Sequence, residues 1–160
     1  IVDFVRRRRD LTVVTNSLVV AQELLGVRNL TVVMPGGVLH HDTGSLIDAE
    51  GLAFLERYNI VTGFFGAHGV TLEDGLTDVS ASEASFKRHL VALCRRVIAV
   101  LDATKWGRAG VASFAAVDDV DMIITDEDAP DEILSAAQSL DVQVLRVKGS
   151  GVCEEEAVAC

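Results

Sequence analysis

Short apolar runs, rich in β-branched residues and free of polar alternation, recur along this chain at Leu11–Thr15, Thr31–Met34, Ile60–Phe65, Val97–Leu101, Met122–Thr125 and Val142–Val147. A strand with one wet face alternates polar and apolar residues; a strand without alternation is covered on both faces. Between several runs lie segments with readable helix ends. Ser17 or Asn16 suits the N-cap of a helix over Leu18–Leu25, and Gly26 suits its close. A second such segment runs from about Asp48 to Tyr58. Ser80 and Glu83 form an S-x-x-E capping box that opens a helix through Cys94. Pro130 fits the first turn of a helix ending near Leu140. Strand–helix alternation of this kind predicts an α/β fold: a mostly parallel sheet, helices on both faces and right-handed crossovers.

Composition narrows the class further. The chain has 160 residues, 49% of them hydrophobic, which suits one core in one domain. Aromatics are only 5%, so Val, Leu, Ile and Ala must build that core. The formal net charge of −10 repels phosphate backbones, so this chain by itself is not expected to bind nucleic acid. The basic run Arg6–Arg9 reads first as a solvated helix end, favoured by the helix dipole, and only second as a DNA contact. Cys94, Cys153 and Cys160 have neither metal nor disulfide spacing, and an odd count suits a reducing cytoplasm. No apolar run approaches the roughly 20 residues that span a bilayer, and no signal peptide is visible. The chain opens without Met on "IVDFVRRRRD", which reads as the last turns of a helix belonging to a longer protein. A mean hydropathy of +0.34, high for so acidic a chain, points to self-association.

In parallel α/β sheets, ligands bind beyond the carboxyl ends of the strands. Successive strand ends here carry "TNS" at 15–17, "PGG" at 35–37, "FFGAHGV" at 64–70 and "DATKWG" at 102–107. Glycines let backbone N–H groups approach a ligand closely, helix N-termini favour anions, and Lys105 adds a full positive charge. Trp106 is placed to wall one side of a pocket, and Asn16 and Glu83 to read sugar hydroxyls. Each feature also has a plainer reading. Glu83 can simply complete its capping box, Thr15 and Asn16 can cap a helix, and paired glycines mark many loops. Lys105 can be a solvated lysine and His68 a hydrogen-bonding loop residue. His40, His41 and Asp42 do not make a metal site, because adjacent histidines point apart and no third ligand stands at useful spacing. Asp118–Asp121 and Asp126–Glu132 read as solvated loop and helix-start acids.

The series "VVTNSL", "MPGGVL", "FFGAHGV", "GLTD", "SEASFKRHL", "DATKWG" and "VDDVDMIITD" resembles, in content and order, the effector-binding domain of DeoR-type bacterial transcriptional regulators. The resemblance covers roughly Leu11 to Val147. It implies a Rossmann-like sheet related to ribose-5-phosphate isomerase and the CoA transferases, an effector-binding domain over 1–148 and a C-terminal tail over 149–160. It further implies a sugar phosphate or related phosphorylated metabolite as ligand, no metal, no cofactor, and DNA binding through a helix-turn-helix upstream of Ile1. The effector contacts carried over by motif are Thr15, Asn16, Gly36, Gly37, Gly66, Ala67, His68, Gly69, Glu83 and Lys105. The family usually has an Asp-x-Gly-(Ser/Thr)-Thr phosphate loop just before the first helix, and this chain begins after that point. It also often has Asp at the position of His68, and the related isomerases use an aspartate in that loop for proton transfer. A His can act as a base there, but no second carboxylate is placed with it. The leading expectation is a non-enzymatic sensor. The alternatives are a sugar-phosphate isomerase using His68 and Glu83 with Lys105 on the phosphate, and a module that mainly oligomerises.

Overall fold

The computed structural model describes residues 1–148, and the expected tail at 149–160 lies outside the described residues. The chain opens with α1 (Val2–Arg6), whose Arg6 Nε donates to the Glu23 carbonyl at 2.9 Å. Next come β1 (Leu11–Val14) and α2 (Leu18–Glu23), the latter capped by Ser17, whose Oγ accepts from the Val20 N–H at 3.4 Å. β2 (Leu30–Val33) pairs in parallel with β1. β3 (Val38–His40) and β4 (Ser45–Ile47) form an antiparallel hairpin, and Asp48 then caps α3 (Ala49–Leu55). β5 (Ile60–Phe65), β6 (Gly69–Thr71), β7 (Gly75–Asp78) and α4 (Ala81–Leu93) follow. α4 runs into β8 (Cys94–Val100) with no residue between them. After a 3-10 turn at Ala103–Lys105 the chain forms β9 (Ala112–Ala115), β10 (Met122–Asp126), α5 (Asp131–Gln138) and β11 (Gln143–Val147).

The α/β class and the parallel central sheet agree with the sequence reading. Four of the strands form that sheet, in the order β11-β10-β8-β5, every neighbouring pair parallel. Its core is built around Val97 and Ala99 of β8 and Ile123 of β10, with Leu134 and Ala137 of α5 packed in. Phe86 and Leu76 are fully buried, and each such side chain contributes roughly 1.5–3 kcal/mol relative to exposure. Two features depart from the expected single parallel sheet. β1 and β2 stand as a separate two-stranded parallel sheet, and β6, β7 and β9 form an antiparallel sheet of their own. The latter strands are only three or four residues long and rich in small residues, so they carry no periodic signal.

Candidate functional site at the strand ends

Parallel pairing sets the carboxyl ends of β5, β8 and β10 side by side. Phe65 pairs with Ala99 and Ile124 with Val100, so Gly66–His68, Asp102–Lys105 and Asp126 leave the sheet at one edge. Asp126 helps shape this edge, its Oδ2 accepting from the Ala103 N–H at 3.0 Å. The 3-10 turn is closed by Asp102, whose Oδ1 accepts from the Thr104 N–H at 2.9 Å and from the Thr104 hydroxyl. That hydroxyl bond, above all, holds the exposed Asp102 carboxyl below the usual aspartate range. Lys105 Nζ lies 3.7 Å from Asp102 Oδ2, a loose pair with the lysine side chain still 32% exposed. Trp106, expected as a pocket wall, is instead a core residue, its indole N–H donating to Thr125 Oγ1 at 3.2 Å.

The glycine loop is held from below and from the side. Lys87 of α4 donates to the Gly66 carbonyl at 2.9 Å and pairs with Asp78 Oδ2 at 2.6 Å, its ammonium 5.2 Å from the centre of the Phe114 ring. The His68 N–H donates to the Thr77 carbonyl at 2.9 Å, and Thr77 Oγ1 donates to the Gly69 carbonyl at 2.8 Å. The glycines divide by role. A Cβ on Gly69 would stand 2.2 Å from the Arg108 carbonyl oxygen, and one on Gly75 would stand 2.1 Å from that of Ala115. Both therefore admit close backbone approach, Gly69 to the loop before β9 and Gly75 to β9 itself. Gly66 is different: its nearest neighbour would be the Val100 carbonyl oxygen at 4.0 Å, so one side of its backbone is open. Among the described residues, no hydrogen bond is made by the His68 ring, which is partly exposed.

A second cluster gathers at the end of β1. Thr15 Oγ1 accepts from the Ser17 N–H at 3.2 Å, and the Asn16 carbonyl accepts from the Leu46 N–H at 2.9 Å. Ser17 and Ser45 form an isolated antiparallel bridge, which ties the β3–β4 hairpin to this strand end. Gly36, with positive φ, and Gly37, beside Ile47 and Asp48, turn the chain from β2 into the hairpin. Glu83 is 5% exposed, and its Oε1 accepts from Ser45 Oγ at 2.6 Å and Thr43 Oγ1 at 2.8 Å. The capping box is thus half made: Ser80 Oγ accepts from the Glu83 N–H at 3.4 Å, but the Glu83 carboxylate turns to the hairpin. Its Oε2 makes no bond among the described residues, where no fully buried side-chain polar atom is left unpaired, so Oε2 reaches solvent.

Glu83 and Lys87 stand four residues apart on one face of α4, so a single helix serves both clusters. Sequence reasoning missed Lys87 and Asp78. Lys87 was legible only as part of the run "SEASFKRHL", and its pairing depends on where β7 passes. Asp121 is exposed, as expected, and also accepts from the Val97 N–H at 2.7 Å, which fixes the start of the buried part of β8.

The family model of the DeoR C terminal sensor domain matches residues 1–127. The chain belongs to that family. Its sequence is 34% identical over 116 residues to the HTH-type transcriptional regulator GolR of Listeria innocua, covering 72% of this chain and 46% of that protein. It is 35% identical over 127 residues to the HTH-type transcriptional regulator GlpR of Haloferax volcanii, covering 77% of this chain and 49% of that protein. It is 26% identical over 135 residues to the glycerol-3-phosphate regulon repressor of Escherichia coli K12, covering 84% of this chain and 54% of that protein. The sensor domain thus spans about half the length of the curated relatives it matches. Among its described residues, no helix is long and apolar enough to cross a membrane.

Proposed function

We propose that this sensor domain binds a small phosphorylated metabolite across its strand ends, and that binding biases the DNA affinity of a longer regulator. The observation that supports the reading is an open glycine beside a loosely held cation: a Cβ on Gly66 would meet nothing nearer than 4.0 Å, and Lys105 sits at the neighbouring strand end. Lys105 supplies a positive charge for the phosphate, Gly66 and Ala67 supply backbone N–H groups, and Glu83 Oε2 and Asn16 take hydroxyls. Gly36, Gly37, Thr15 and Ala67 shape the rim. One relative is named as a glycerol-3-phosphate regulon repressor, which supports a three-carbon or larger phosphosugar class. DNA is contacted by another part of the longer protein, since a net charge of −10 disfavours it here. The setting is the cytoplasm, and the domain works as a homo-oligomer.

The domain senses rather than catalyses. Proton transfer between sugar carbons needs a base within hydrogen-bond reach of its partner groups. Glu83 is committed through Oε1 to the hairpin, and among the described residues no carboxylate is bonded to His68. Thermal unfolding with glycerol 3-phosphate, fructose 1-phosphate and inorganic phosphate tests the reading. A cognate ligand at a hundred times its Kd adds about 2.7 kcal/mol of stability. No stabilisation by any phosphosugar refutes binding, and aldose–ketose interconversion refutes the sensor-only role.

A further inference from the structure

The ammonium of Lys87 is engaged on three sides by the fold itself. It donates to the Gly66 carbonyl at 2.9 Å and to Asp78 Oδ2 at 2.6 Å, and the centre of the Phe114 ring lies 5.2 Å away. The Lys87 side chain is 24% exposed and that of Asp78 11%, so the pair is largely withdrawn from water. Asp78 is anchored in turn. Its Oδ1 accepts from the Val79 N–H at 2.8 Å, and a Cβ on Gly110 would stand 2.4 Å from its carbonyl oxygen. Lys87 is therefore a fixed strut, and its charge is already answered.

What the strut holds is a peptide plane. The described residues contain no cis peptide bond, and in a trans peptide the C=O and the following N–H point in opposite directions. With the Gly66 carbonyl drawn to Lys87, the Ala67 N–H points away from it. That N–H donates to no acceptor among the described residues, whereas the next one, of His68, is taken by the Thr77 carbonyl. Gly66 is exposed, and a Cβ there would meet nothing nearer than 4.0 Å, so a ligand can approach the backbone closely. A glycine leaves its own torsions loosely defined, so the direction of this peptide depends on what grips it. A charged donor on the carbonyl also polarises the peptide and strengthens its N–H as a donor.

The geometry points to Lys87 as a positioning residue of the phosphate site: it holds the Gly66–Ala67 peptide so that the Ala67 N–H donates to a phosphate oxygen. The inference rests on the phosphate reading of these strand ends. Lys87 does not touch the ligand. Lys105 supplies charge there, and Lys87 supplies direction.

Amide NMR of the protein, titrated with glycerol 3-phosphate and with inorganic phosphate against chloride at matched ionic strength, tests it. In the parent, a probe that binds moves the Ala67 amide proton downfield, and by more than the His68 amide. Lys87→Met combined with Asp78→Asn removes the strut without leaving a lone buried charge and without changing the net charge. This double variant melts within a few degrees of the parent and keeps the amide positions of β5 and β8. It loses the Ala67 shift and binds the probe at least about tenfold more weakly, as the loss of one hydrogen bond to a charged group predicts. Should the double variant not fold, Lys87→Met alone, held below its melting temperature, gives the same two readouts. A parent that binds a probe without moving Ala67 overturns the inference and leaves the phosphate site standing. So does a folded variant that keeps both the parent affinity and the Ala67 shift. A parent that binds neither probe overturns the site and the inference together.

Discussion

Glu83 and Ser45, separated by 38 residues of chain, are joined by a buried hydrogen bond of 2.6 Å. It is charge-assisted, and Thr43 shares the same carboxylate oxygen. Glu83→Ala leaves two hydroxyls without their acceptor and costs about 1–3 kcal/mol of stability in urea denaturation. Glu83→Gln keeps an acceptor in place and costs less. If the two variants unfold like the parent, the carboxylate does not hold the hairpin to α4.

Two glycines of one loop separate packing from binding. Gly69→Ala drives a methyl into the Arg108 carbonyl and lowers stability by about 1–3 kcal/mol. Gly66→Ala leaves stability within about 1 kcal/mol, because its Cβ meets open space, and weakens phosphosugar binding. Calorimetric titration paired with thermal unfolding reads both quantities. Unchanged affinity in Gly66→Ala removes that glycine from the site.

The two lysines differ in the unliganded domain. Lys105→Ala removes most of the thermal stabilisation given by a cognate phosphosugar while leaving the unliganded melting temperature nearly unchanged. Lys87→Met strips Asp78 of its partner and destabilises the unliganded domain by about 1–2 kcal/mol. That is below the ~3–5 kcal/mol of a fully buried pair, since Lys87 keeps 24% side-chain exposure. A Lys105→Ala variant stabilised as strongly as the parent shows that the phosphate binds elsewhere.

Acid titration follows Asp102. Its carboxyl is lowered chiefly by the Thr104 hydroxyl, so it stays charged beside Lys105 under all ordinary conditions. The folded value lies below the unfolded one of about 3.9, so the stability it contributes is present above that pH. It is lost as pH falls through the depressed folded value. Thr104→Val raises the Asp102 midpoint toward its ordinary value in a carboxyl-carbon NMR titration. A midpoint unmoved by the substitution assigns the shift to another group.

Self-association is expected from apolar residues left outside, including Leu25 and Val111, each 77% exposed, and Val38, 67% exposed. Sedimentation at micromolar concentration gives a species larger than the monomer. A clean monomer contradicts the oligomer.

The parallel strands were legible because each contains a short, mostly apolar run. Ile60–Phe65 matches its strand end to end, and the others agree within a few residues. The helix over 81–93 was equally plain from its Ser80 cap. What was hidden depends on distant chain. Gly69 read as an effector contact because nothing local reveals that the backbone of Arg108 presses on it. Half of the S-x-x-E box was misleading for the same reason: Ser45 offers Glu83 a stronger partner than its own cap. The division of the sheet was invisible, since strand periodicity says which faces are covered but not which edges meet.

The direct passage from Leu93 at the end of α4 to Cys94 at the start of β8 has a mechanical consequence. An ordinary connection of two to six residues absorbs a small shift by turning its own torsions. Here there is no such slack. A push on Glu83 or Lys87 along the axis of α4 therefore meets no loop before β8, an inner strand of the central sheet, so helix and strand are placed as a pushrod.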